Sequence, residues 1–304
     1  MRFEKYFGIF PLFRFVFCNQ CRRFFLQLQP TGDILYFLRK GIFLKNGTRV
    51  THTRRGQVKI SVITVTLNHL EGLEATFRSV AAQSFRDFEW VVIDGGSTDG
   101  SAEFLQAHKK EIADFVSEPD SGIYQAMNKG VARARGEYCI FMNAGDVFYD
   151  ERVFEDMAPY LDGTTPMVFG ETVYPNGWVH KAIPDVKMRF FWGTSFPHQA
   201  GFVMRKVFEE NGGYREEYRC ASDLFFFFEM NMVRHMPYRS VARKVCRFEG
   251  GGIASGKVGP RERRHYILHH MPLRYGWYCG MLELYEMVRM RFFPNFSFTR
   301  MMKF

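Results

Sequence analysis

The sequence predicts an α/β fold built on a mostly parallel sheet flanked by helices, and three observations carry that expectation. From residue 59 onward, apolar runs of strand length alternate with segments of helical length, the pattern of parallel strands joined by crossover helices. The 304 residues are 46% hydrophobic and 24% charged, a balance that lets a chain of this size bury a full core. Polar clusters containing glycine fall where the strands should end, and in such sheets ligands bind in the crevice beyond the carboxyl ends.

The first strand is the β-branched run Ile60-Ser61-Val62-Ile63-Thr64-Val65-Thr66, and Phe88 to Asp94 is the second. Asp114 to Ser117 makes a short third strand and Tyr138 to Met142 a fourth. Helices are expected between them, over about 71–84, 98–110 and 121–135. After Asp146 the alternation fades. Strand-like runs remain at Met167 to Gly170 and Ala200 to Met204, with a helix over 205–211 stopped by Gly212-Gly213 and another over about 222–234 that begins from Ser222. The run Phe225 to Phe228 reads as core. Beyond Pro272, Leu273, Trp277, Met281, Leu284, Val288 and Phe292 recur at three- and four-residue steps, one face of a helix. That stripe either packs on the domain or lies in a membrane interface.

Charge divides the chain into three. Residues 1–59 carry 12 Lys/Arg against 2 Asp/Glu, residues 60–256 carry 20 against 27, and residues 257–304 carry 9 against 3, for a net charge of +9. The boundaries expected are a basic, aromatic N-terminal extension over 1–58, a central domain over 59–256 and a basic amphipathic helical region over 257–304. An acidic middle argues against a domain that tracks a phosphate backbone, whose basic residues should line the working face, so no nucleic-acid partner is expected. RNA binding by the ends is the competing reading. Basic aromatic ends suit an anionic membrane surface better. No run of about 18 uncharged apolar residues exists to span a bilayer; the nearest, Tyr6 to Cys18, holds Pro11 and Arg14. Six cysteines show one close pair, Cys18 and Cys21, with no second pair to complete a zinc site.

Three polar clusters could carry chemistry. Asp94-Gly95-Gly96-Ser97-Thr98-Asp99 follows the second strand; its glycines let backbone N–H groups approach an anion or a base, and Asp94 stands at the strand end. Asp99 could simply cap the next helix. In Ser117 to Gly130, Asp120 and Ser121 make a reasonable N-cap pair, and Lys129 is either a solvated helix residue or meets a diphosphate. The fourth strand runs into Asn143-Ala144-Gly145-Asp146, where a carboxylate and an amide offer oxygen ligands of the kind Mg²⁺ or Mn²⁺ prefers.

Together these pieces resemble an inverting family 2 glycosyltransferase of the GT-A nucleotide-diphospho-sugar transferase fold. The first strand through Asn68, the helix end Ser79-Val80-Ala81-Ala82-Gln83, then Trp90 to Ser101, Ser117 to Gly130, Ala134 to Tyr138 and Asn143 to Asp146 follow the family's order, over about residues 59–254. The likeness is greatest to bacterial polysaccharide-assembly transferases. It implies that Thr66, Asn68 and Asp94 face the nucleotide with Asp120 nearby, Lys129 and Asn143 joining them, and that Asp146 holds Mg²⁺ or Mn²⁺. Asn143 and Gly145 stand where the family often carries carboxylates, and Gln125 replaces a frequent acid. Phe196-Pro197-His198-Gln199 is similar to an element near the sugar and acceptor, which assigns His198 and Gln199 there. Asp223, in Ala221-Ser222-Asp223, stands where the family keeps its catalytic base.

The resemblance implies a transferase that moves a sugar from a nucleotide-sugar donor, a uridine diphosphate sugar foremost, to a glycan or lipid-linked oligosaccharide acceptor. The expected place is the cytoplasm, peripheral on the inner face of the cell membrane. The alternative is a catalytically inactive nucleotide-sugar-binding or scaffolding protein, suggested by the acids missing at 143 and 145.

Overall fold

A computed structural model describes residues 58–182 and 196–250, together with Glu262, His265, Tyr266, His269, His270 and Gly280. The Cys18 and Cys21 pair, the N-terminal extension through residue 57 and the apolar stripe after Pro272 lie outside the described residues. In order come β1 (Ile60–Thr66), α1 (Leu70–Ala81), β2 (Phe88–Asp94), α2 (Ser101–Ala107), β3 (Asp114–Ser117), α3 (Ile123–Arg133) and β4 (Tyr138–Phe141). Then follow β5 (Val147–Phe148), α4 (Val153–Met157), β6 (Met167–Val173), β7 (Val179–His180), a 3-10 turn at His198–Ala200, β8 (Gly201–Met204), α5 (Arg205–Asn211), α6 (Ser222–Phe228) and β9 (Tyr238–Arg247).

The strands form one sheet in the order β3-β2-β1-β4-β8-β6-β9-β5, with β7 paired to β6. The first four are mutually parallel, as the alternation of strand and helix requires. Every residue of β1 is buried, because a parallel strand is covered on both faces. The helix α1 buries Gly72, Leu73, Thr76 and Val80, one face at three- and four-residue steps. Beyond β4 the sheet turns mixed: β8 runs antiparallel to β4 and to β6, while β6 and β9 pair in parallel. All four residues Phe225 to Phe228 are buried core.

Several boundaries differ from the sequence expectation. The helix expected over 98–110 begins only at Ser101, because Ser97 to Gly100 form a loop held by side chains. The helix expected from 121 begins at Ile123, with Asp120 accepting from the Gly122 N–H at 2.9 Å in the turn before it. The helix expected over 222–234 is α-helical only to Phe228 and widens to a π turn at Glu229–Val233, where the Arg234 N–H reaches back five residues to the Glu229 carbonyl. The strand β9 was not expected at all. Its charges hid it: Arg243 is neutralised by Asp150 and by Asp156 at 2.9 Å, and Lys244 and Arg247 lie over the Tyr149 ring at 5.1 and 4.3 Å.

Candidate functional site

The carboxyl ends of β1, β2 and β4 meet on one side of the sheet. Thr66 and Asp94 are register partners at the last positions of β1 and β2, and the Ala144 N–H continues the ladder to the Val65 carbonyl at 3.1 Å. Asp94 is fully buried. Its carboxylate accepts from the Ser97 N–H at 3.1 Å, from the Ser97 hydroxyl and from the Ser117 hydroxyl at the end of β3. It therefore ties together the loops after β2 and β3. Asn68, in the left-handed region at φ 50°, accepts from the Thr98 N–H at 2.8 Å while its own N–H donates to Ser97 Oγ at 2.7 Å. Asp99 accepts from the Leu70 and Ser101 N–H groups at 2.8 and 3.1 Å, so it caps α1 and α2 together.

Asp120 extends its carboxylate over the loop after Asp94: a Cβ added at Gly95 would lie 2.9 Å from Asp120 Oδ2. Thr66, Asn68, Asp94 and Asp120 thus gather in one cluster beyond the carboxyl ends of β1 and β2. Within it Thr66 Oγ1 is buried with no hydrogen-bond partner among the described residues. The Lys129 ammonium pairs instead with Glu118 at 2.7 Å.

The turn after β4 is stapled by α1. Thr76 Oγ1 donates to the Asp146 carbonyl at 2.8 Å and accepts from the Gly145 N–H at 3.1 Å, and Gly145 sits at φ 97°, a conformation that favours glycine. Asp146 is only 3% exposed. Burial pushes its carboxyl up to about 6, against the opposing help of the Glu249 N–H at 3.0 Å, the charge of His198 and a hydrogen bond from Gln199. The side chain of Glu249 lies over Gly145 and meets His69 Nε2 at 3.3 Å.

A second chain of contacts runs alongside. Asn143 Nδ2 lies 3.3 Å from His198 Nε2, His198 Nδ1 lies 3.0 Å from Asp223 Oδ2, and the Tyr124 hydroxyl donates to Asp223 Oδ1 at 2.9 Å. The His198 ring thus bridges the Asn143 amide and the Asp223 carboxylate. Asn143 Oδ1 is then buried and unpartnered. Burial raises the Asp223 carboxyl, but the hydrogen bond and charge of His198 and the Tyr124 hydroxyl outweigh it and hold the group below its usual range. Asp223 is therefore ionised at neutral pH, with the Leu224 N–H a further donor to it.

The structure so joins Asn143, His198, Asp223, Gln199 and Asp146, which the sequence spreads over 80 positions. Sequence reasoning missed four participants. Tyr124 carried a signal: a tyrosine on the apolar face of a helix must find a partner for its hydroxyl. Thr76, a polar residue on the buried face of α1, carried another. Glu249 and His69 carried none, because their place depends on where β9 and the start of α1 meet.

The family model described as glycosyl transferase family 2 matches residues 61–217. A Mycobacterium tuberculosis protein described as an uncharacterized glycosyltransferase is 34% identical over 204 residues, covering 64% of this chain and 77% of that relative. Among solved structures, S. aureus TarS residues 1–349 in complex with UDP-GlcNAc superposes with a TM-score of 0.56 at 17% identity, over 81% of this chain and 76% of that one. The mannosyltransferase PcManGT from Pyrobaculum calidifontis, in complex with GDP-Man and Mn²⁺, superposes with a TM-score of 0.50 at 19% identity, over 78% and 70%. At those identities the two structures speak to the fold alone.

Proposed function

This chain belongs to glycosyl transferase family 2 and is a glycosyltransferase, and from that premise we propose that it transfers a sugar with inversion from a nucleoside diphosphate donor to a glycan or lipid-linked acceptor. The contact chain Asn143, His198, Asp223 and Tyr124 beside Asp146 is the observation that carries this reading. It places an ionised carboxylate within one hydrogen-bond network of a buried, under-supplied one.

Asp223 is the base that takes the acceptor hydroxyl's proton as that oxygen attacks the anomeric carbon. The bond from that carbon to the diphosphate oxygen breaks as the new one forms, so a single displacement inverts the centre. His198 and Tyr124 hold both oxygens of Asp223, fixing its direction and its charge. The leaving diphosphate is already a stable anion, so the chain needs one carboxylate here, unlike the opposed pair of a glycosidase. Thr66, Asn68, Asp94 and Asp120 form the nucleotide crevice, with Gln199 and His198 toward the sugar and acceptor and Lys129 at the crevice's edge.

The residues present fit a divalent cation. Asp146 and Asn143 Oδ1 offer hard oxygen donors, one poorly supplied with protons and the other with none. Asp146 would hold Mg²⁺ or Mn²⁺, which when bound supplies charge to offset that of the departing diphosphate. The two solved neighbours carry a UDP-sugar and a GDP-sugar; we favour the uridine donor on the resemblance to polysaccharide-assembly transferases.

Among the described residues no helix is long and apolar enough to cross a membrane. We place the enzyme on the cytoplasmic face of the cell membrane, held there by its basic aromatic ends, each Lys or Arg near anionic lipid contributing about 1 kcal/mol. Deleting residues 272–304 is expected to release the protein from anionic vesicles in a sedimentation assay.

Calorimetric titration with uridine and guanosine diphosphates, with and without Mn²⁺, tests the central reading. Metal-dependent binding of one nucleotide, lost in Asp146→Ala, is the expected result. Binding of neither nucleotide under any condition would overturn it.

A further inference from the structure

This inference rests on the donor and metal reading above. Within the turn after β4, Asp146 is the lone acid, since Asn143 and Gly145 occupy the places where carboxylates are common. The fold returns a second acid to that spot from 103 residues further along, just beyond β9. The Glu249 N–H donates to Asp146 Oδ1 at 3.0 Å, which seats the two residues side by side. Its carboxylate lies over Gly145 so closely that a Cβ built there would overlap Glu249 Oε2 and Cδ. The acid missing at position 145 in the chain is thus present there in space.

The rest of the surroundings agree with a ligand's role rather than a core one. The Glu249 side chain keeps 45% of its surface exposed, and the only ion pair it makes among the described residues is with His69 Nε2, at 3.3 Å. Nothing else described neutralises it, and two neighbouring carboxylates repel unless they share a proton or a cation.

We propose that Glu249 supplies, from outside the Asn143-Ala144-Gly145-Asp146 turn, the second carboxylate with which Asp146 holds the divalent cation. Small divalent cations are commonly bound through one or two carboxylates plus phosphate oxygens instead of a full protein cage. A pair suffices here: among the described residues no three His, Cys, Asp or Glu side chains gather as a cage. The same arrangement explains why position 145 is glycine, since its backbone sits at φ 97° and its side-chain space is taken by Glu249.

Mn²⁺ titrations of the full chain, followed by the electron paramagnetic resonance of the free ion with and without uridine diphosphate, test the proposal. Glu249→Gln keeps size and backbone but removes the charge, and it is expected to weaken Mn²⁺ binding about ten-fold or more. Glu249→Ala is read against the same outcome should the first variant not fold. Asp146→Asn is expected to lose at least as much, and His69→Gln, which removes only the ion pair, to lose little. Unchanged or tighter Mn²⁺ binding in both Glu249 variants, with the loss confined to Asp146→Asn, overturns the role of Glu249 and leaves the metal reading standing. A loss in His69→Gln as large as in Glu249→Gln also overturns it, by tracing both to the ion pair. Unchanged Mn²⁺ binding in Asp146→Asn removes the metal reading itself.

Discussion

Two buried carboxylates stand at opposite ends of the same sheet and behave in opposite ways. Glu89, near the start of β2, is 5% exposed, and Asp146, past the end of β4, is 3% exposed. Burial pushes both upward. At Glu89 the Ser61 hydroxyl at 2.6 Å, the Gly136 N–H at 3.1 Å and both the backbone and the guanidinium of Arg135 overcome it, and the carboxyl ends below its ordinary value. At Asp146 burial prevails and the carboxyl is pushed up to about 6. The amino end of the sheet therefore holds an acid that is complete within the chain, used to close Ala134 to Gly136 onto β1 and β2. The carboxyl end holds one whose donors fall short. The number of donors and the nearby Glu249 charge, not the degree of burial, separate the two.

The largest effect expected is on the reaction. Asp223→Asn should lower kcat by about 10²–10⁴ with little change in donor KM, in a steady-state transfer assay. A loss under ten-fold would take the base role from Asp223 and break the functional half of the comparison.

Glu89→Ala should leave the Ser61 hydroxyl and the Gly136 N–H without their acceptor and cost about 3 kcal/mol in urea unfolding. Activity per folded molecule should hold. If activity fell with no change in stability, Glu89 would belong to the site and the contrast would fail.

The pH dependence of stability should differ in sign between the two. Asp146 has a native value of about 6 against an ordinary 3.8, so between those values the native state keeps a proton that the unfolded state has lost. Its contribution is full below about pH 4 and is lost as pH rises through 6, on the order of 3 kcal/mol at about 1.4 kcal/mol per unit. Glu89, lowered from 4.5, contributes stability above that value that is lost as pH falls through its native one. Denaturant midpoints measured from pH 4 to 8 should lose the first decline in Asp146→Asn and keep it in Glu89→Gln. The smallest effect is local: Asp99→Ala removes a cap shared by α1 and α2 and should cost about 1 kcal/mol in thermal unfolding.

The parallel half of the sheet was legible in the sequence because β1, β2 and β4 are covered on both faces and so read as predominantly apolar runs of strand length. β1, β2 and β3 fall at the residues expected, and β4 falls one residue short. The mixed half was less legible, since several of its strands are short and β9 carries charges that only tertiary partners neutralise. The same divide runs through the site. Asp94, Asn143 and Asp146 could be singled out because polar residues at strand ends stand out against apolar runs, while Asp223 was singled out by the family resemblance. That Asp94 accepts from Ser97 and Ser117, or that Lys129 pairs with Glu118, could not be read from spacing.

The sequence by itself determined the fold class, the order of the first strands and helices, and which acids sit at strand ends, because periodicity and local capping act within a few residues. Only the tertiary structure decided which of those acids is satisfied, that His198 and Tyr124 hold Asp223, and that Glu249 lies over Gly145 beside Asp146. Those outcomes depend on how many donors reach each carboxylate, and the donors come from segments dozens of residues away.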